Sequence, residues 1–474
     1  MINIRLTFLF QSLSLLACIS LITFLPSLHF MPKEIVWFHD GQRVLELITL
    51  GFVLLYSAFN TRSNDDFSAF NHKISYAFIG LIVLAIISSL LAESPRHAII
   101  EISMFAGLCY LALFVARLYS ENKKLFIKRL IYMLWAGILL YMVSFYVGYI
   151  TAVISKKSLH WPLPFTGFSN IRSFNQYQLW SLGLITLPLL AFDLKSIVHR
   201  WLYIALTFWW VLLFYSASRG VLIALIIGAS LTLLIYRKLA WPFLRLQLMN
   251  MATGYCTYFL LFKVIPELNE STLVTGTILR ETTNDRIDLW HKALLLAMDS
   301  PWLGVGPMHF SWHSATNAHP HNSVLQLAAE FGTPATLIIL TIAGYGIYCW
   351  LKKFTKSRLT TETPLNKYLA MVLFFTITTN AIYSLVDGVI VMPISQIMMF
   401  TTIGLLLGHY ACNNPHNLKK GNLVTRGKFN FIAIFALVTL FALAWSTFPE
   451  IVQGLSGHEK GFSTGQPAIG PRLW

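Results

Sequence analysis

Apolar residues run along the chain in long blocks separated by short polar ones. The blocks fall near 6–28, 43–60, 74–92, 98–118, 128–154, 176–193, 200–217, 220–236, 245–265, 333–351, 368–388, 390–411 and 429–448. Most are close to the roughly 20 residues that span a bilayer as a helix. In lipid a helix satisfies its own backbone, so the pattern predicts an all-α polytopic integral membrane protein with 12–13 transmembrane helices. The first block has the length of a signal peptide but lacks a small-x-small cleavage site, so it is read as an anchor.

Composition agrees. The 474 residues are 56% hydrophobic and only 12% charged, about half the charge of a soluble domain. A formal net charge of +15 would suggest nucleic acid if the basic residues clustered on a soluble face. Instead, with the N-terminus inside, 22 of the 35 Lys and Arg fall on inner segments, for example Lys123, Lys124, Lys128, Lys352, Lys353 and Lys356. That asymmetry follows the positive-inside rule, sets the orientation and removes nucleic acid as a partner. The five cysteines lie in or beside apolar blocks without a CxxC pattern, as small hydrophobes do.

Three outer segments interrupt this pattern. The longest covers 266–320, the second covers 155–175 and carries Arg172, and the third is the tight turn Ser216-Ala217-Ser218-Arg219-Gly220. Arg219 is either an interfacial anchor or a ligand group, with Ser218 adding a hydroxyl and Gly220 allowing close backbone approach. In 283–298, Ile287, Trp290, Leu294, Leu295 and Met298 recur at helical spacing, with Thr283 or Asn284 as N-cap and a stop at Ser300-Pro301. Arg286 then lies in the first turn, where backbone N–H groups and a guanidinium together suit phosphate. The plainer reading is a solvated Arg, or one paired with Asp285 or Glu281.

The segment His319-Pro320-His321-Asn322 runs on to Gly332. Pro320 suits a first helical position and Gly332 a helix end. His321 is expected in the opening turn, where the helix dipole favours a neutral imidazole able to act as a general base. A capping or interfacial His is the alternative. His313, His319 and His321 could instead bind metal, but the spacing is not HExxH and the outer loops hold no DxD; Asp285 and Asp288 are the nearest carboxylates to that role.

SRG at 218–220, NDRIDLW at 284–290, PWLGVGP at 301–307 and HPHN at 319–322 together resemble the superfamily of bacterial O-antigen ligases, O-antigen polymerases and related protein O-oligosaccharyltransferases. The likeness is good over about 160–345. The family's His-Asn signature continues nine residues to a Gly, as His321-Asn322 does to Gly332, and then expects Gly, Thr or Tyr where this chain has Ala335. The resemblance implies transfer of an undecaprenyl-pyrophosphate-linked glycan to an acceptor hydroxyl at the periplasmic face of the inner membrane. It implies an inverting, metal-independent reaction without a cofactor. Arg219 and Arg286 would bind the pyrophosphate, and His321 would deprotonate or orient the acceptor. Arg172, Arg280, His319, Asn322 and Ser218 are further substrate-binding candidates, and Asp387 is either a loop residue or a neighbour of the site.

The expected organisation is an N-terminal helix bundle (1–265), a catalytic periplasmic loop with short helices (266–320), C-terminal spans (321–448) and a flexible periplasmic tail (449–474). An O-antigen ligase acting on lipid A-core is the first expectation. A polymerase extending the glycan and a protein O-oligosaccharyltransferase are its relatives, although the short C-terminal tail disfavours the latter. A transporter of lipid-linked sugar would distribute polar groups along its spans; here they gather at the outer face. Membrane lipid is the remaining expected partner.

Overall fold

The computed structural model describes residues 38–59, 72–156, 159–160, 165, 167–168, 171–269, 273–274, 286–314, 317–354, 359, 362–413 and 426–455. The first apolar block, Arg280, Thr283, Asn284 and Asp285 lie outside the described residues.

The described residues are helical almost throughout. In order come α1 (Phe38–Phe59), α2 (His72–Leu91), α3 (Pro95–Glu121), α4 (Lys123–Ile154), α5 (Ile171–Leu184), α6 (Leu187–Ala191), α7 (Ser196–Ser216), α8 (Arg219–Tyr236) and α9 (Trp241–Phe259). A π-helical turn at Leu260–Val264 leads into α10 (Ile265–Leu268). Then follow α11 (Arg286–Asp299), α12 (Phe310–His313), α13 (Ser323–Lys353), α14 (Pro364–Tyr383), α15 (Pro393–Cys412) and α16 (Arg426–Leu455). Among the described residues, 10 helices are long and apolar enough to cross a membrane. One two-residue parallel ladder, Leu159–His160 with Leu273–Val274, joins the second outer segment to the long one.

The block at 176–193 is not one helix. It divides at Ile185 and Thr186, just before Pro188 in the first turn of α6. Pro188 has no N–H to give Leu184, and its ring disfavours helical backbone at the residue before it. The carbonyl of Ile185 turns sideways and accepts from Trp135 Nε1 at 3.0 Å. At the other end of the chain, α16 continues to Leu455, so the expected flexible tail does not begin at 449.

The bundle packs on α3 and α15. Gly404 and Gly408 let α15 press on the backbone of α3, where an added Cβ would meet Ala112 O at 2.5 Å and Ala116 O at 2.9 Å. The outward faces carry exposed Ile79, Ile82, Val83 and Ile86 on α2 and Ile223, Ile226 and Ile227 on α8, as lipid-facing helices do. The starts of α5, α8, α11 and α13 converge with the α14–α15 connection.

Helix α11 forms where the spacing predicts it. Its buried face is Leu289, Ala293, Leu296 and Ala297, packed with Phe310 and Ala329, whereas Ile287, Leu294, Leu295 and Met298 are exposed. Small residues allow α11 to lie close against the start of α13, and the larger apolar side chains form its outer face. The helical period of the apolar residues is as the sequence predicts, and most of the large ones lie on the exposed side.

Candidate active site

Helix α13 begins later than Pro320 suggests. Asn322 is its N-cap, with Oδ1 accepting from Val324 N at 3.1 Å and Leu325 N at 3.0 Å. Ser323 N finds its partner outside the helix, at Ser384 O, 2.8 Å away. His321 therefore precedes the helix rather than sitting in its opening turn. Its backbone is left-handed, with φ 54°, a conformation that strains a non-glycine residue and is found at functional sites. The residue is 5% exposed.

Two charged side chains flank its ring. Arg172, second residue of α5, places Nη1 2.9 Å from His321 Nε2. Asp387, in the α14–α15 connection, places Oδ1 3.5 Å from Nδ1. A guanidinium has no acceptor, so Nε2 must present its lone pair to Arg172. In the neutral ring the proton is then on Nδ1, facing the carboxylate. Burial, together with Arg172 and Arg286, holds His321 below its ordinary pKa, with Asp387 opposing. The sequence anticipated a neutral imidazole, but burial and the nearby arginines supply the cause.

Asp387 is 1% exposed and well held. Tyr383 OH donates to Oδ2 at 2.5 Å, while Gln176 Nε2 at 3.3 Å and its neighbour Gly388 N at 2.7 Å donate to Oδ1. Burial would raise its pKa, but His321, Tyr383 and Arg172 outweigh that and keep the carboxyl well below the usual range.

The remaining arginines surround this pair. Arg286 opens α11. Burial lowers its pKa, Asp387 and Tyr383 oppose that, and Arg172 and Arg219 repel it; as an Arg it stays charged. Its Nε is buried without a hydrogen-bond partner among the described residues. Arg219 opens α8 and is exposed. The Ser218 side chain hydrogen-bonds Tyr383, and Gly220 admits the same tyrosine, whose Cε2 would lie 3.1 Å from an added Cβ. Both neighbours of Arg219 thus fit it to the bundle. Among the described residues, three guanidiniums share this site with one carboxylate, a surplus suited to a doubly charged anion.

His319 packs behind His321, with ring centroids 4.1 Å apart and Nδ1 accepting from His321 N at 3.3 Å. PWLGVGP braces α13 from outside. Gly332 breaks that helix at φ 80°, exposing carbonyls at Ala329 and Glu330 that accept from Val305 N at 2.8 Å and Gly306 N at 3.1 Å. Behind the α14–α15 connection, Arg43 on α1 donates to Gln396 Oε1 at 2.6 Å and Val391 O at 2.8 Å, and pairs with Glu46 at 2.5 Å.

The structure brings together Arg172, Arg219, Arg286, His319, His321 and Asn322, with Ser218 reaching them through Tyr383. Sequence reasoning did not select Gln176, Tyr383 or Arg43, and left Asp387 open. Among the described residues, no group of three or more His, Cys, Asp or Glu could hold a metal ion.

At one end of a polytopic helical bundle, an imidazole, a carboxylate and three guanidiniums thus stand together. Residues 202–340 match the family model described as O-antigen ligase. No curated protein matches the chain. The match covers under a third of the sequence, including Arg219, Arg286, His319, His321 and Asn322. It supports the O-antigen ligase superfamily and lipid-linked glycan transfer of the ligase or polymerase type. Arg172 and Asp387 lie outside the matched stretch.

Proposed function

We propose that the protein moves an O-antigen glycan from undecaprenyl pyrophosphate to a hydroxyl of lipid A-core, at the periplasmic face of the inner membrane. The observation that carries this reading is the buried His321 set between Asp387 and Arg172, with Arg219 and Arg286 alongside.

The acceptor O–H gives its proton to His321 Nε2, while the acceptor oxygen bonds the anomeric carbon from the face opposite the phosphate. The bond from that carbon to the phosphate oxygen breaks, and its electron pair leaves on the lipid diphosphate. The configuration inverts. Arg219 and Arg286 offset charge that grows on the leaving group, so they favour the transition state over bound donor. Asp387 stabilises the imidazolium formed when Nε2 takes the proton. Nothing in this sequence of events needs a metal.

Deleting the gene and resolving lipopolysaccharide on a gel tests the reading. The expected result is loss of all O-antigen-bearing lipopolysaccharide with polymerised glycan accumulating on undecaprenyl pyrophosphate. Wild type restores it; Arg219→Ala, Arg286→Ala and His321→Ala, at normal expression, do not. Core capped by a single repeat unit would make the protein a polymerase. An unchanged pattern would exclude both acceptors.

A further inference from the structure

His321 Nε2, the nitrogen required as base, already has an occupant. Arg172 donates to it at 2.9 Å, and the other ring nitrogen faces Asp387. An acceptor hydroxyl cannot deliver its proton to a lone pair already engaged by a guanidinium. The arrangement described here is therefore closed to chemistry, and what opens it must attract Arg172 more strongly than a neutral imidazole does.

A diphosphate has that property. A guanidinium bonds an anionic phosphate through two parallel N–H groups, whereas its bond to imidazole is a single contact with a neutral acceptor. The site also favours an anion for other reasons. Arg172 and Arg219 both repel Arg286, and the buried Nε of Arg286 lacks a partner among the described residues. Arg172 stands near the start of α5 and is half-buried rather than enclosed.

We propose that Arg172 couples donor binding to catalysis: it covers the base until the diphosphate of the donor draws it away, so that His321 is exposed to the acceptor only when a glycan is in place. The donor then binds before the acceptor, and a hydroxyl arriving early meets a covered base. This deepens the transferase reading and rests on it for the identity of the anion.

The test needs no glycan. Diethyl pyrocarbonate acylates an imidazole nitrogen that has a free lone pair, and mass spectrometry reports the modification of each histidine. Purified wild type in detergent is labelled with and without inorganic pyrophosphate, with binding measured in parallel by calorimetry. Exposed His291 on α11 is the internal control. His321 is expected to react slowly alone and about ten-fold faster with pyrophosphate, the scale of one charge-assisted hydrogen bond released from the nitrogen. Arg172→Gln should react fast at once and gain nothing from pyrophosphate. Pyrophosphate that binds yet leaves His321 labelling unchanged, or slows it, overturns the coupling and leaves the donor site standing. Absence of pyrophosphate binding overturns both. The wild-type comparison decides the matter even if the variant folds poorly.

Discussion

Tyr383 donates a 2.5 Å hydrogen bond to Asp387 Oδ2, while Oδ1 of the same carboxylate lies 3.5 Å from His321 Nδ1. The carboxylate is thus fixed by α14 on one side and faces the imidazole on the other. In the proposed reaction it keeps the ring proton on Nδ1 and favours the imidazolium that transfer creates. Asp387→Asn keeps the shape and removes the charge. The expected loss is about 10²-fold or more in kcat, within the range for impaired general-base catalysis, with the donor KM nearly unchanged. Initial rates with purified donor and acceptor check this, and a wild-type kcat would remove Asp387 from the mechanism.

Arg219 and Arg286 are expected to resist conservative replacement. Lysine keeps the positive charge but loses the planar fork that grips two phosphate oxygens at once. Arg286→Lys and Arg219→Lys should each lower kcat/KM by about ten-fold or more, the cost of one charge-assisted bond to phosphate. Rates measured against donor concentration decide it. Full activity in both lysine variants would reduce the arginines to simple counter-charges.

Hydrophobic blocks made the helices legible, and the outer segments made Arg219, Arg286 and His321 stand out, because polar residues there interrupt an apolar pattern. Arg172 was visible for the same reason. Asp387 could be placed only by folding, since nothing local distinguishes it from a loop acid; its role comes from Tyr383, Gln176 and His321, far apart along the chain. Arg43 and Glu46 were hidden inside an apolar block, where two charges at i,i+3 read as a ragged helix end. On α11 the apolar spacing showed the helix but not which face packs, because its buried face is made partly of the small residues Ala293 and Ala297. His321 escaped its expected turn because Asn322, two residues beyond Pro320, is the better cap.

Arg43 and Glu46 give a prediction about that hidden pair. Both are enclosed, at 2% and 0% exposure, and Arg43 anchors Val391 O and Gln396 behind the Asp387 connection. Removing one partner leaves a buried charge uncompensated, whereas replacing both by apolar side chains often costs little. Arg43→Met is expected to lose about 3 kcal/mol or more of stability. Arg43→Met with Glu46→Met should recover most of that and still transfer glycan more slowly, because the connection carrying Asp387 has lost its anchor. Thermal unfolding in detergent and initial rates on the same samples separate the effects. A double variant as fast as wild type would limit the pair to structure.

His309 links the long outer segment to the start of α3, and stability is expected to depend on pH through it. Its Nε2 accepts from Ser94 N at 2.9 Å and its Nδ1 lies 2.7 Å from Pro307 O, to which only a protonated nitrogen can donate. The neutral ring satisfies both contacts; a second proton would break the bond from Ser94. Burial, with His97 and His313 adding repulsion, lowers its pKa from 6.5 to about 4. Above pH 6.5 the ring is neutral folded and unfolded, so it adds no pH dependence. Between pH 6.5 and 4 only the unfolded chain takes up the proton, and stability falls as pH falls, by about 3 kcal/mol at the limit. Below pH 4 both states are charged and the contribution levels off. His309→Asn should be less stable than wild type at pH 7.5, having lost the two contacts, yet decline less between pH 7.5 and 4.5. Melting temperatures of both proteins across that range provide the comparison. Parallel curves would show that the acid sensitivity of this segment arises from other groups.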